Sequence, residues 1–132
     1  MNLAGAHPIL SCAETESVEE RLFTGDEEKA WAAMQRAGLA VADGVARDLR
    51  ELGRFPRKAR LLVLVGKGHN GGDALIAAQA LLVRFRYATA EVVFTPGMSS
   101  LKPLAQRAWQ NFQNEAGERV KPIMGGAIAG AY

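Results

Sequence analysis

One cysteine, Cys12, is all that this chain of 132 residues contains. No disulfide can form within it, which fits a reducing compartment. Charge of one sign is also scarce. The formal net charge is +2, too small a surplus to hold a polyanion, so nucleic acid is not an expected partner. The densest basic stretch, RFPRKAR at 54–60, lies just before an apolar run and reads as a solvated connection. Long hydrophobic runs are missing too: nothing approaches the roughly 20 residues of a membrane span. PILSC near the N-terminus is preceded by no Lys or Arg and is too short for a signal peptide. There is no internal repeat. These absences leave a soluble, cytoplasmic protein with no membrane partner, of a length that suits one domain with its own core.

What is present is a sequence of alternating apolar periods. Ser11 followed by Glu14 has the form of a capping box, predicting a short helix over about 12–23. TGD at 24–26 ends it, and Asp26 can cap a second helix from Glu27 to about Leu52. Its apolar stripe is Trp31, Met34, Val41, Val45, Leu49 and Leu52. Gly38 falls on the same stripe; because glycine costs roughly 1 kcal/mol relative to alanine inside a helix, close packing against another backbone is the expected reason for it. RLLVLV (60–65) has the continuous aliphatic character of a parallel strand buried on both faces. A helix is expected over 73–85, a strand over 90–95, and a turn at Pro96 and Gly97. A further helix follows, capped by Ser99 or Ser100, with Pro103 in its first turn. ERVKPIM (118–124) reads as a third strand. Strand, helix, strand, helix, strand is half of a Rossmann-like, doubly wound α/β fold: a three-layer αβα arrangement on a parallel sheet, incomplete here and preceded by two N-terminal helices. GGAIAGAY at the end shows no clear element.

Between the first strand and its helix lies GKGHNGGD, residues 66–73, with four glycines in eight positions. A parallel strand that turns directly into a helix presents free backbone N–H groups at the carboxyl edge of the sheet. That edge favours anions, and glycine there permits close approach or a positive φ. A nucleotide or phosphate cradle is the expectation. Gly66, Gly68 and Gly71 spell the dinucleotide fingerprint, yet the second strand ends Phe94-Thr95-Pro96 with no acid to hold a ribose. The Lys-Ser or Lys-Thr pair of a P-loop is missing as well. Asn70 offers an amide oxygen to a cation and an NH2 to a ligand. Gly71 and Gly72 are expected to leave the turn open. Asp73, at the expected helix start, can accept hydrogen bonds from ligand hydroxyls or simply answer the helix dipole. Lys67 faces a phosphate or solvent, and His69 reads as a binding or surface residue rather than a catalyst.

VLVGKGHNGGDALIAAQALL resembles the glycine-rich motif of the NAD(P)H-hydrate epimerase family, the YjeF N-terminal domain, whose usual form is close to V-x-x-G-x-G-N-N-G-G-D-G. AWAAMQRAGLAVADGV (30–45) is similar to that family's second helix, and the similarity runs from about residue 10 to about 122. The resemblance implies a substrate, the hydrated form of NADH or NADPH, and an isomerase that interconverts its R and S epimers for nicotinamide nucleotide repair. It implies that His69, Asn70, Gly71, Gly72 and Asp73 contact the substrate and that Asn70 is a ligand of a potassium ion. Partners implied are a homodimer mate and an ADP- or ATP-dependent dehydratase, fused or separate.

Two departures from the family pattern lie in the loop: His69 stands where the family has Asn, and Ala74 where it has Gly. A larger one is that the family's later strands, second glycine loop and Asp-x-Pro-Ser-Gly segment, with its catalytic Asp, have no counterpart here. The expectation is therefore one domain over 1–132, cut after its third strand, with the catalytic residue unassigned. Two rivals share the fold: a non-catalytic module that binds a nucleotide or a partner, and a flavodoxin-like phosphate binder whose loop matches by accident.

Overall fold

The computed structural model describes residues 9–95 and 97–123. Pro96 and the segment 124–132, including the end of the expected third strand and the glycine-rich tail, lie outside them. The chain divides into two compact units, one ending at Trp31 and the other starting at Ala32.

In the first unit, helix α1 (Cys12–Phe23) begins with the expected capping box. The Glu14 N–H donates to Ser11 Oγ at 3.3 Å, and the Ser11 N–H donates to Glu14 Oε2 at 2.8 Å. Two otherwise unpartnered backbone donors are thereby satisfied. Helix α2 (Glu27–Glu51) starts where Asp26 accepts from the Lys29 N–H at 3.0 Å.

Trp31 and Met34 of α2 are buried as expected, but the stripe then departs from the large apolar residues. Beyond Met34 the buried positions are Gly38, Ala42 and Ala46, while Val41, Val45 and Leu52 are exposed. The seam is small because α2 lies very close to its neighbour at Gly38, and the next rungs must be short to keep that approach. Ala42 and Ala46 pack with Ala77 and Leu81, and Phe55, Leu61, Ala80 and Phe85 close the cluster.

Strands β1 (Arg60–Val65), β2 (Thr89–Phe94) and β3 (Val120–Ile123) form one parallel sheet in the order β1-β2-β3. Helix α3 (His69–Arg84) joins β1 to β2, and α4 (Pro103–Ala116) joins β2 to β3. One sheet face carries the buried side chains Val63, Val65, Ala90, Val92 and Val120. Both crossover helices cover that face. A Cβ on Gly71 of α3 would meet Val65, and Trp109 of α4 meets Phe94 edge-on at 5.1 Å. The core between them holds Leu75, Leu82 and Phe112, each at most 1 % exposed. Burial of each such side chain contributes about 1.5–3 kcal/mol.

Neither Ser99 nor Ser100 caps α4: both lie in a short 3-10 turn (Met98–Ser100), and Lys102 occupies the N-cap with Pro103 directly after it. Proline at the first helical position presets φ, so the helix starts there without a side-chain cap. At the amino edge of the sheet the basic segment is tied down. Phe55 stacks on Phe85 with ring centres 3.8 Å apart, Arg57 and Arg86 both lie over the Tyr87 ring, and Arg60 pairs with Glu91.

Candidate functional site

The two strand ends that carry the loops are bound to each other. The Val65 carbonyl, last in β1, accepts from both the N–H and the Oγ1 of Thr95, at 3.0 and 3.2 Å. Thr95 stands where a dinucleotide site would need an acid, and here it locks the ends of β1 and β2 in register. In the sequence this role has only a weak signal, a hydroxyl on a β-branched residue at a strand end.

From Val65 the chain passes through Gly66, Lys67 and Gly68, all exposed, and enters α3 at His69. The helix begins four residues before the expected start at Asp73. Helix propensity argued against HNGG, but packing overrides it. Gly71 and Gly72 are buried, and the Gly71 N–H already turns back to the Gly68 carbonyl at 3.2 Å. Consequently Asp73 is not in the first turn, so it does not serve as the acid that answers the dipole there. It is half-buried in the second turn and has an interaction partner of its own.

The glycines of the loop divide into two kinds. Gly71 and Gly72 are packing residues: a Cβ on Gly71 would lie 2.6 Å from the Gly66 carbonyl oxygen, and one on Gly72 would run into the thioether of Met34. They let α3 start directly against β1 and α2 rather than holding the turn open. Gly66 and Gly68 are the reverse, since a Cβ on either would meet nothing. None of the four has a positive φ. Close packing therefore accounts for Gly71 and Gly72, while nothing among the described residues requires glycine at Gly66 and Gly68.

The result is a helix end without a side-chain cap among the described residues. It lies at the carboxyl edge of a parallel sheet and is reached past two bare glycines. His69 and Asn70 are both exposed in its first turn. Such an end concentrates partial positive charge and N–H donors suited to a phosphate or carboxylate. Among the described residues no group of three or more His, Cys, Asp or Glu could hold a metal ion. A groove along α1, lined by Leu10, Ala13, Glu14, Ser17, Val18 and Arg21, belongs to the other unit and brings no further chemistry together.

Residues 31–125 match the family model described as YjeF-related protein N-terminus. The chain belongs to this family. A similar protein is the NAD(P)H-hydrate epimerase of Bordetella pertussis, 46 % identical over 88 residues, which are 66 % of this chain and 35 % of that protein. The bifunctional NAD(P)H-hydrate repair enzyme Nnr of Gloeobacter violaceus is 37 % identical over 109 residues, 83 % of this chain and 20 % of its own length. The chain thus spans about a third or less of these relatives. A crystal structure of the yeast protein ynu0, YNL200c, has the same fold with a TM-score of 0.65 at 21 % identity, covering 88 % of this chain and 47 % of the yeast chain. Membership of the family and a Rossmann-like parallel sheet with its glycine loop at the carboxyl edge agree with the expectations from sequence. No helix among the described residues is long and apolar enough to cross a membrane.

Proposed function

We propose that this chain supplies the loop-bearing wall of an NAD(P)H-hydrate epimerase site. The observation that carries the reading is the GKGHNGGD loop at the carboxyl edge of the sheet, opening a helix without a side-chain cap past the bare Gly66 and Gly68. The names of the similar proteins support a hydrated nicotinamide dinucleotide as the substrate class. The exposed first-turn residues of α3, His69 and Asn70, present their amides to a phosphate or the nicotinamide carboxamide oxygen, whereas the Gly71 N–H is already bonded to the Gly68 carbonyl. Asn70 and His69 donate to the same ligand, and the Asp73 carboxylate accepts from its hydroxyls.

The substrate's own chemistry sets what the completed site must do. The hydrated ring carries a hydroxyl on a carbon beside nitrogen. The nitrogen lone pair expels that hydroxyl, which leaves as water once protonated, and the ring becomes a flat iminium. Water then adds to either face and loses its proton, giving either epimer. A carboxylate that returns the same proton suits both steps. Within this chain the loop binds and orients; the group that moves the proton is not assigned to it.

Potassium asks one oxygen of these residues, and the exposed amide of Asn70 is a donor of the right kind. Its other ligands would come from polypeptide beyond the described residues. When bound, the ion supplies fixed positive charge beside the substrate. A dehydratase acting on the same hydrate belongs to this proposal as a partner, fused or separate.

Because the chain spans 35 % of the Bordetella pertussis relative, catalysis by the chain alone should be close to the spontaneous rate. Reacting groups on the far wall must be held in register, and misplacement by about 1 Å can cost a hundredfold. The test is a chimera in which residues 31–123 replace the matched stretch of that relative. With one epimer of hydrated NADH in potassium buffer, chromatography should show interconversion, lost by about a hundredfold on Asp73→Ala. A folded chimera that leaves the epimer unchanged while the intact relative converts it would favour the non-catalytic binding module.

A further inference from the structure

Two successive glycines make a weak helix start. Glycine is the poorest helix former after proline, and the first turn of any helix lacks part of its backbone bonding. Gly71 and Gly72 are nevertheless the third and fourth residues of α3. Local preference does not hold this turn, so contacts from other elements must.

Those contacts come from two sides. On one side the bare Gly71 lies against Val65 and the Gly66 carbonyl at the end of β1. On the other side α2 supplies Met34 and, a turn later, Gly38. A Cβ on Gly72 would fall on the Met34 sulfur and 2.7 Å from its terminal methyl, and a Cβ on Gly38 would fall 2.9 Å from the Asp73 carbonyl oxygen. The Met34 thioether therefore fills the space that a side chain at position 72 would take. Met34 is itself only 6 % exposed.

The groups offered to a ligand stand beside this contact. His69 and Asp73 are four residues apart and Asn70 and Asp73 three apart, so they share one side of α3. Gly72 and Ile76, also four apart, form the adjoining flank that meets Met34 and Gly38 of α2. Gly72 has no Cβ of its own to restrict its backbone. A rotation at that residue turns Asn70 relative to Asp73.

We propose that Met34 is a positioning residue for the loop: its thioether, wedged against the bare Gly72, fixes Asn70 relative to Asp73. An unbranched, adaptable side chain can reach across to a neighbouring helix and fill such a gap. The role matters because a misplacement of about 1 Å in groups that orient a substrate can cost a hundredfold in rate. What the turn holds rests on the epimerase reading; the contact that shapes the turn does not.

The first test uses the isotope-labelled chain without ligand. By the helical pattern the Asp73 and Ala74 amides close the turn onto the His69 and Asn70 carbonyls. Met34→Ala should speed exchange at these two amides by roughly tenfold relative to Leu82, near the far end of the same helix, because the turn opens locally. Phe112→Leu, a change in the core beneath α4, should move all three amides together. Gly72→Ala alone should speed exchange at Asp73 and Ala74, since the new methyl displaces the thioether. Added to Met34→Ala, it should slow exchange there by filling the vacated space.

That reversal of sign separates the wedge from a simple gain in helix preference, which would slow exchange in both backgrounds. Where Met34→Ala does not fold, Met34→Leu should show the same selective rise in smaller measure. An unchanged ratio of Asp73 to Leu82 exchange overturns the proposal. So does Gly72→Ala slowing exchange whether or not Met34 is present.

The second test uses the chimera at a temperature where every variant is folded. Met34→Ala should lower kcat/KM for one epimer of hydrated NADH by about tenfold, and Gly72→Ala added to it should restore most of the loss. Phe112→Leu should leave kcat/KM unchanged. An active chimera indifferent to Met34→Ala overturns the proposal and leaves the epimerase reading standing. An inactive chimera, with the selective exchange present in the free chain, does the reverse.

Discussion

Gly38 of α2 lies directly against Ile76 of α3: a methyl group on Gly38 would fall 2.6 Å from both Cβ and Cγ2 of Ile76 and 2.9 Å from the Asp73 carbonyl oxygen. Neither the Ile76 Cβ nor a helix carbonyl can swing aside as the end of a long side chain can. Gly38→Ala gains about 1 kcal/mol of helix propensity but incurs overpacking of about 1–3 kcal/mol or more. We expect net destabilisation in urea unfolding. Gly44→Ala is the control, since a Cβ there meets nothing within 4 Å, and it should stabilise by up to about 1 kcal/mol. A Gly38→Ala variant as stable as Gly44→Ala would contradict the close crossing of α2 and α3.

The two buried loop glycines should respond differently. On Gly71 a Cβ meets the backbone carbonyl of Gly66 and the branched Val65, which cannot yield without moving the strand end. On Gly72 it meets the sulfur and terminal methyl of Met34, the flexible end of an adaptable side chain. Gly71→Ala should lower stability by roughly 2 kcal/mol or more and Gly72→Ala by clearly less. Thermal melts of the two variants decide it; the reverse order would mean that α3 does not start against β1 in this way.

Much of this arrangement was legible in the sequence. The capping box at Ser11 and Glu14, the aliphatic run of β1 and the second strand are short-range signals, and each element lies where the pattern placed it. β1, however, is buried on the face of Val63 and Val65 only and leaves Leu64 exposed, not on both faces as expected. The carboxyl-edge position of the loop followed from a strand joined directly to a helix. What misled was packing between elements. The HNGG start of α3 looked like a loop because glycine propensity is poor, and only contact with Val65, Gly66 and Met34 makes it helical. The seam of α2 looked large because Val41 and Val45 are the apolar residues in view, whereas the close approach at Gly38 selects Ala42 and Ala46. Thr95 carried only the weak signal of a β-branched hydroxyl at a strand end, and its two bonds to Val65 appear only once the strands are paired.

Arg119 joins three segments. Its Nη1 donates to the carbonyl of Leu82 at 2.9 Å and to those of Arg86 and Ala88 at 3.3 Å, tying the C-terminal turn of α3 to the start of β2. A guanidinium at the negative end of a helix is favourable in itself, and a hydrogen bond to a charged group contributes about 1.5–3 kcal/mol. Arg119→Ala should therefore cost about 2 kcal/mol in urea unfolding. Arg119→Lys should recover only part, because an ammonium cannot match the fixed fork. Full recovery by lysine would show that charge alone matters at this position.

The capping box makes α1 sensitive to acid. Hydrogen bonds from the Ser11 backbone and then from its hydroxyl lower the Glu14 pKa below the usual carboxylate value. A carboxylate whose pKa is depressed in the folded state stabilises that state above its unfolded pKa, and the contribution disappears as the pH falls through the folded one. Amide exchange at Glu14 and Thr15 should accelerate, relative to the intrinsic rate, below the ordinary carboxylate range. Glu14→Gln, which keeps a cap without the titration, should remove that dependence. The same acid response in the Gln variant would place its origin elsewhere.

The proposed function requires the loop from Gly66 to Asp73 to bind a hydrated nicotinamide dinucleotide at the carboxyl edge of the sheet. Titrating isotope-labelled chain with hydrated NADH while following backbone amide resonances tests it residue by residue. Saturable shifts are expected at Gly66, Gly68, His69 and Asn70, weakened by Asn70→Ala, with the amino-edge residues Arg57 to Arg60 unmoved. Absence of saturable shifts in the loop, or shifts confined to the basic amino edge, would contradict it.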